Sequence, residues 1–305
     1  MDRSRTVTSI PSATGVLLIL AAALVAARPA AACTSFVEYA SGGAWYGMNF
    51  DWPPEYGILF RVETDRIGNP VFTMSFVQGA DTLPTVGMTA DGRFSSMQVT
   101  DDPWTGPDPE SGNPLIFTPF YALVYAGASM GDLDDMTMND TFIQYDNPPI
   151  HVITADAGGA AMIIEVGEDG NDVLRIGDEP FLVMTNFGVS QWAGADPALI
   201  VGDGADRYRA ALYMLKDSLG RMDAETGLAV LEASRSTSAE FPTRASMVFD
   251  ATRGIVYIAV EGDYTKVWRL EAGTGLLEGW RGCPSAPRRI LGPVGITASE
   301  LLSSG

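Results

Sequence analysis

Beyond residue 33 this 305-residue chain alternates hydrophobic and polar positions in short bursts rather than long helical runs. Segments 34–39, 57–64 and 71–78 alternate or run apolar between Gly, Pro and Asp turns, a pattern that predicts strands. Asp91-Gly92 lies between two such runs, 85–88 and 94–99, and predicts a hairpin. After a Pro/Asp/Gly-rich loop at 101–113, apolar spacing over 119–130 predicts a helix. A second strand-rich block follows at 151–155, 160–166, 173–176 and 181–185. Helices are predicted at 203–219 and 224–234, then strands at 245–250, 255–261 and 266–270. The tail after 271 is rich in Gly and Pro and predicts a surface wrap. No internal repeat or linker divides residues 33–305, so one domain is expected. Strands, helix, strands, helices, strands is an order that suits two packed sheets with helices outside.

The first 32 residues follow different rules. Arg3 and Arg5 precede an apolar run, 15–27, and Ala30-Ala31-Ala32 supplies small residues for cleavage. These are the parts of a secretory signal, and the run is shorter than the ~20 residues that span a bilayer. An exported protein, periplasmic or extracellular and without stable membrane insertion, is expected. Removing the segment takes away three arginines and one aspartate and moves the formal charge from −19 to −21. Such a chain repels nucleic acid and anionic membrane surfaces. A homo-oligomer is compatible with this composition.

Two cysteines, Cys33 and Cys283, and one histidine, His151, limit the chemistry. They give no metal-type spacing, no cofactor is implied, and no Gly-x-Ser-x-Gly elbow accompanies the histidine. His151 reads as a strand residue, and the acidic run at 132–135 as a solvated face. Gly202-Asp203-Gly204 lacks the third glycine of a nucleotide fingerprint and reads as a helix start. Cleavage after Ala32 would give Cys33 a thiol and a free α-amine on the same carbon. Their ordinary pKa values are near 8.5 and 8, so the amine can take the thiol proton near neutral pH without a histidine. Cys33 could instead carry a lipid, although Ala30 stands where a lipoprotein signal usually has leucine, or pair with Cys283 in an exported chain. Asp51 can return to Cys33 through the hairpin turn at Gly42-Gly43 and hold the amine.

Cys33-Thr34-Ser35-Phe36 with Gly47-x-Asn49-x-Asp51-Trp52 resembles the opening of the choloylglycine hydrolase and penicillin V acylase family, whose acid-amidase and ceramidase relatives open similarly. The likeness extends through 151–165, Met184-Thr185-Asn186-Phe187, Arg207-Tyr208 and Thr243-Arg244, covering most of 33–270. It implies an α/β (α+β) four-layer αββα N-terminal-nucleophile sandwich that hydrolyses a linear amide of a small-molecule N-acyl substrate. It further implies Cys33 as nucleophile, Asp51 as partner of its amine, Asn186 as an oxyanion donor and Arg244 as the cation near the thiol. Gln98 falls near a further oxyanion position, and Trp52 and Phe60 are candidates to line the acyl pocket. Relatives usually carry arginine where this chain has Met48. Losing that cation weakens thiolate stabilisation at Cys33 and the expectation of family-typical substrates.

Overall fold

A computed structural model describes residues 33–40, 42–101, 112–144, 148–284 and 286–304. The predicted signal segment and most of the 101–113 loop lie outside these residues. Two antiparallel eight-stranded sheets face each other. The first contains β1 (Cys33–Glu38), β2 (Trp45–Asp51), β10 (Phe181–Met184), β11 (Thr243–Asp250), β12 (Ile255–Val260), β13 (Val267–Glu271), β14 (Leu276–Arg281) and β15 (Arg289–Ile290). Its order is β10-β1-β2-β11-β12-β13-β14-β15. The second contains β3 (Gly57–Thr64), β4 (Pro70–Gln78), β5 (Asp81–Thr89), β6 (Phe94–Val99), β7 (Ile150–Ala155), β8 (Ala161–Val166), β9 (Asn171–Arg175) and β16 (Ile296–Thr297). There the order is β16-β3-β4-β5-β6-β7-β8-β9.

Period-two alternation explains the layers. From β1, Cys33 and Val37 enter the core between the sheets, which holds Phe50, Phe72, Phe94 and Trp268. Phe36 turns the other way, into a second core beneath α3 (Ala205–Asp217) and α4 (Ala224–Ala233). The Phe36 ring lies across Gly47, where an added Cβ would stand 2.0 Å from it, so glycine is required at that point in β2. Helices α1 (Thr118–Val124) and α2 (Met130–Asn139) cover the opposite sheet. Helix–sheet–sheet–helix is the four-layer arrangement that the resemblance implies.

Two expectations change. The single helix expected at 119–130 is interrupted: α1 ends at Val124, Gly127 takes a left-handed φ of 81°, and Ser129 starts α2 with a capping box to Asp132. The acidic run at 132–135 thus belongs to the first turns of that helix. The tail beyond 271 is also no mere wrap. It forms β14 and β15 on the first sheet, then crosses to put β16 beside β3 on the second and ends in α5 (Ala298–Ser304). Its strands are short and Gly-flanked, so alternation is too brief to read.

Candidate active site

The site forms where β1 begins and β2 ends. Cys33 stands directly opposite Phe50 across the hairpin, which brings Asp51 alongside, and Thr243 of β11 pairs with Asp51 on the far side. The Cys33 thiol lies 4.0 Å from the main-chain oxygen of Asp51. Asp51 is fully buried; one carboxylate oxygen accepts from the Thr243 hydroxyl at 2.5 Å and the other faces Arg207 Nη1 at 3.5 Å. Burial pushes the Asp51 carboxyl up to about 7, against the pull of Arg207 and the Thr243 hydrogen bond. Burial, and after it the charge of Asp51, pushes the Cys33 thiol well above its ordinary range.

Asn186 follows β10 and closes the cluster. Its Oδ1 accepts from Cys33 N at 2.6 Å and from Arg207 Nη2 at 3.0 Å, while its Nδ2 donates to Val99 O at 2.7 Å. Two donors on one atom and an acceptor at the other fix which way the amide points. In this orientation Asn186 holds the nitrogen of Cys33, and one of its two Nδ2 hydrogens goes to Val99 O. The segment after Asn186 is tethered by Glu165, which accepts from Val189 N, Ser190 N and the Ser190 hydroxyl at 2.8, 2.9 and 2.5 Å. His151 Nδ1 lies 2.9 Å from the same carboxylate. Burial would raise Glu165, yet the hydrogen bonds from His151 and Ser190 hold it below the usual carboxylate range.

The cation at this centre is Arg207, which sequence reasoning placed only at a helix start. Its Nη1 donates to Cys33 O at 2.7 Å. Arg207 lies in the first turn of α3 and folds back over its beginning, where Gly204 has φ 77° and an added Cβ would meet Nη2 at 2.5 Å. Gly202-Asp203-Gly204 therefore makes room for a buried guanidinium, and a Gly-rich helix start followed by arginine was the signal available. Arg244 has other partners. The β11 bulge between Thr243 and Ala245 turns it to Glu261, at 2.8 Å, and to the carbonyls of Pro53 and Tyr56 at 3.0 and 3.3 Å.

Toward the inter-sheet core, Cys33 opens on a cavity of about 40 Å³ walled by Phe50, Trp52, Phe76, Met97 and Gln98. Trp52 stacks on both Phe50 and Phe76 at centroid distances of 5.5 and 5.1 Å. Phe60 does not line this space; it packs deeper, against Phe72. Gln98 Nε2 reaches Ser35 Oγ at 2.5 Å, and its Oε1 has no partner. Met48 sits in the same group, its sulphur 3.0 Å from Ser35 Oγ and 3.4 Å from Ser96 Oγ. Both cysteines are free thiols. Among the described residues no group of three or more His, Cys, Asp or Glu could hold a metal ion, and no helix is long and apolar enough to cross a membrane.

Among solved structures the chain is similar to a mutant conjugated bile acid hydrolase from Clostridium perfringens, at TM-score 0.56 and 15% identity, covering 82% of this chain and 96% of that one. It is also similar to penicillin V acylase from Agrobacterium tumefaciens, at TM-score 0.55 and 14% identity, covering 85% of this chain and 100% of that one. At these identities the likeness establishes the fold. No family model and no curated protein matches the chain.

Proposed function

We propose that this protein is an exported N-terminal-cysteine amidase that hydrolyses a linear N-acyl amide. One observation carries the reading: Cys33, the first residue after a cleavable-looking segment, has its nitrogen held by Asn186, its carbonyl by Arg207 and its thiol beside Asp51. A buried thiol whose acidity is suppressed needs a base at hand, and cleavage before Cys33 creates one. The new α-amine takes the Sγ proton, and the thiolate attacks the amide carbonyl. The tetrahedral intermediate collapses with the proton passing to the leaving nitrogen, and a thioester remains on Cys33. Water, deprotonated by the same amine, then releases the acid and restores the thiol. Arg207 offsets the Asp51 charge that otherwise opposes the thiolate. Turning the Gln98 amide over would let Ser35 donate to Oε1 and free Nε2 as an oxyanion donor beside Cys33. A lipid anchor on the same sulphur would need it at the surface, and Cys33 is 2% exposed.

The test is the intact mass and N-terminal sequence of exported protein, followed by an N-acyl amide screen with Cys33→Ala as control. The expected product begins at an unmodified Cys33, and the variant loses at least about 10³-fold in activity while keeping its circular dichroism. A lipid adduct on Cys33, or undiminished hydrolysis by the folded variant, would sink the reading.

A further inference from the structure

Two buried polar atoms on the second sheet have no partner among the described residues: Gln98 Oε1 and His151 Nε2. They belong to directly opposed positions on β6 and β7, so both side chains leave the same face of the sheet. That face is the inner one, because Gln98 reaches Ser35 on the first sheet and walls the cavity at Cys33. Gln98 is 2% exposed and His151 0%. A buried acceptor left unpaired is costly, and two on neighbouring positions need a common explanation.

The ring of His151 supplies half of it. Its Nδ1 lies 2.9 Å from Glu165 Oε1, and the same carboxylate accepts from Val189 N, Ser190 N and the Ser190 hydroxyl. A carboxylate held by donors takes one more, so the ring proton sits on Nδ1 and Nε2 of the neutral imidazole offers a lone pair. The other half lies in the contact between Gln98 and Ser35 Oγ, at 2.5 Å. That distance is short for N–H···O and ordinary for O–H···O. It suits a Ser35 hydroxyl donating to Oε1, with the amide turned over. The amide nitrogen then requires an acceptor, and His151 Nε2 requires a donor. The two lie beyond hydrogen-bond distance of each other, but opposed positions bring Cβ atoms to about 5 Å, which a glutamine spans by rotating its last bonds.

Resting on the amidase reading above, we propose that His151 is a positioning residue: its Nε2 takes one N–H of Gln98 and thereby turns the second N–H of that amide toward the oxyanion formed at Cys33. Ser35 cannot decide the orientation, since a hydroxyl donates or accepts equally well. An imidazole fixed by Glu165 can only accept. Donors then run one way, from Ser96 to Ser35 across 3.2 Å, on to Gln98, to His151 and to Glu165, each bond polarising the next. Through Val189 and Ser190, Glu165 also fastens the segment that follows Asn186, so one carboxylate governs two side chains at Cys33.

His151 is the single histidine, so an untagged chain labelled with 15N-histidine presents one imidazole to observe. At neutral pH, nuclear magnetic resonance should find the proton on Nδ1 and none on Nε2. Gln98→Leu, which leaves the histidine in place, should shift the Nε2 resonance and keep Nδ1 protonated. An imidazolium would instead give its Nε2–H to Oε1 and keep the amide nitrogen on Ser35. Protons on both ring nitrogens, or an Nε2 resonance unmoved by Gln98→Leu, would therefore overturn the proposal while leaving the amidase reading intact. Kinetics add a second readout. His151→Phe should lower kcat about tenfold with KM within about twofold, because the oxyanion donor is misdirected rather than removed. In a Gln98→Leu background the same change should cost nothing further. Losses that multiply, or a fully active His151→Phe, would reduce the histidine to core packing. If no N-acyl amide is hydrolysed, the amidase reading fails, and the resonances alone decide whether His151 holds Gln98.

Discussion

Two buried arginine–aspartate clusters share this sandwich, and they are built to opposite standards. In one, Asp65 accepts from Ile67 N and Asn69 N at 2.9 and 2.8 Å through one oxygen and from Arg93 Nη2 at 3.0 Å through the other. Arg93 spends its remaining donors on Asp91 and on the carbonyls of Leu123 and Ala128. Charges and hydrogen bonds close on themselves, and the cluster pins the turn after β3 to α1. In the other, Arg207 meets Asp51 only at 3.5 Å, the Asp51 carboxyl is pushed up to about 7, and Gln98 Oε1 nearby lacks a partner. A buried cluster that serves only structure is expected to leave nothing open. One that is left open is available to a proton, an amine or a substrate.

Arg207→Met and Arg93→Met test that contrast directly, because each removes one guanidinium of similar burial. Arg207→Met should lower kcat/KM by about 10²-fold or more, since Asn186, Cys33 O and Asp51 lose their common partner. Its cost in stability should be the smaller of the two, because the Asp51 carboxyl, already pushed up to about 7, can take up a proton and become neutral when the guanidinium is gone. Arg93→Met should cost about 3–5 kcal/mol in urea denaturation, leaving Asp65 with a charge, two main-chain donors and no cation. Its kcat/KM per folded molecule should stay within about twofold of the parent. If Arg207→Met kept full activity and lost as much stability as Arg93→Met, both clusters would be structural scaffolding.

The sequence carried the strand pattern and the cluster unevenly, for physical reasons. Alternation is a local signal, so β3 appeared at its observed bounds, 57–64, and Cys33 and Asp51 could be joined through a hairpin whose register follows from its turn. Asn186 was legible through its motif, but not the direction of its amide, which depends on donors 21 and 153 residues away. Arg207 and Arg244 are both arginines near element starts. Only a helix beginning at a left-handed glycine and a bulge in β11 decide which of them reaches Cys33, and neither device leaves an apolar pattern behind. Trp52 and Phe60 are equally aromatic and nearly equally buried; what separates them is which strand end faces Cys33.

The smallest effect is the most specific to the open cluster. In a chain made without export, so that residue 32 stays attached, Asp51 keeps its proton up to about pH 7 when folded and only to about pH 4 when unfolded. Between those values the folded state binds more protons, so the linkage slope is negative and stability falls as pH rises. The slope approaches about 1.4 kcal/mol per pH unit at most for one group. It is fully relieved below pH 4, where both states are protonated. Asp51→Asn cannot titrate and should flatten this part of the curve. If the chain is cleaved before Cys33 as proposed, the new ammonium should pull the Asp51 carboxyl toward its ordinary range and shrink the same slope in the cleaved protein. Denaturant midpoints at four or five pH values, for precursor, mature chain and Asp51→Asn, measure all three. A precursor curve that is flat, or that rises from pH 4 to 7, would mean that the Asp51 carboxyl is not raised and that the cluster is not waiting for the amine.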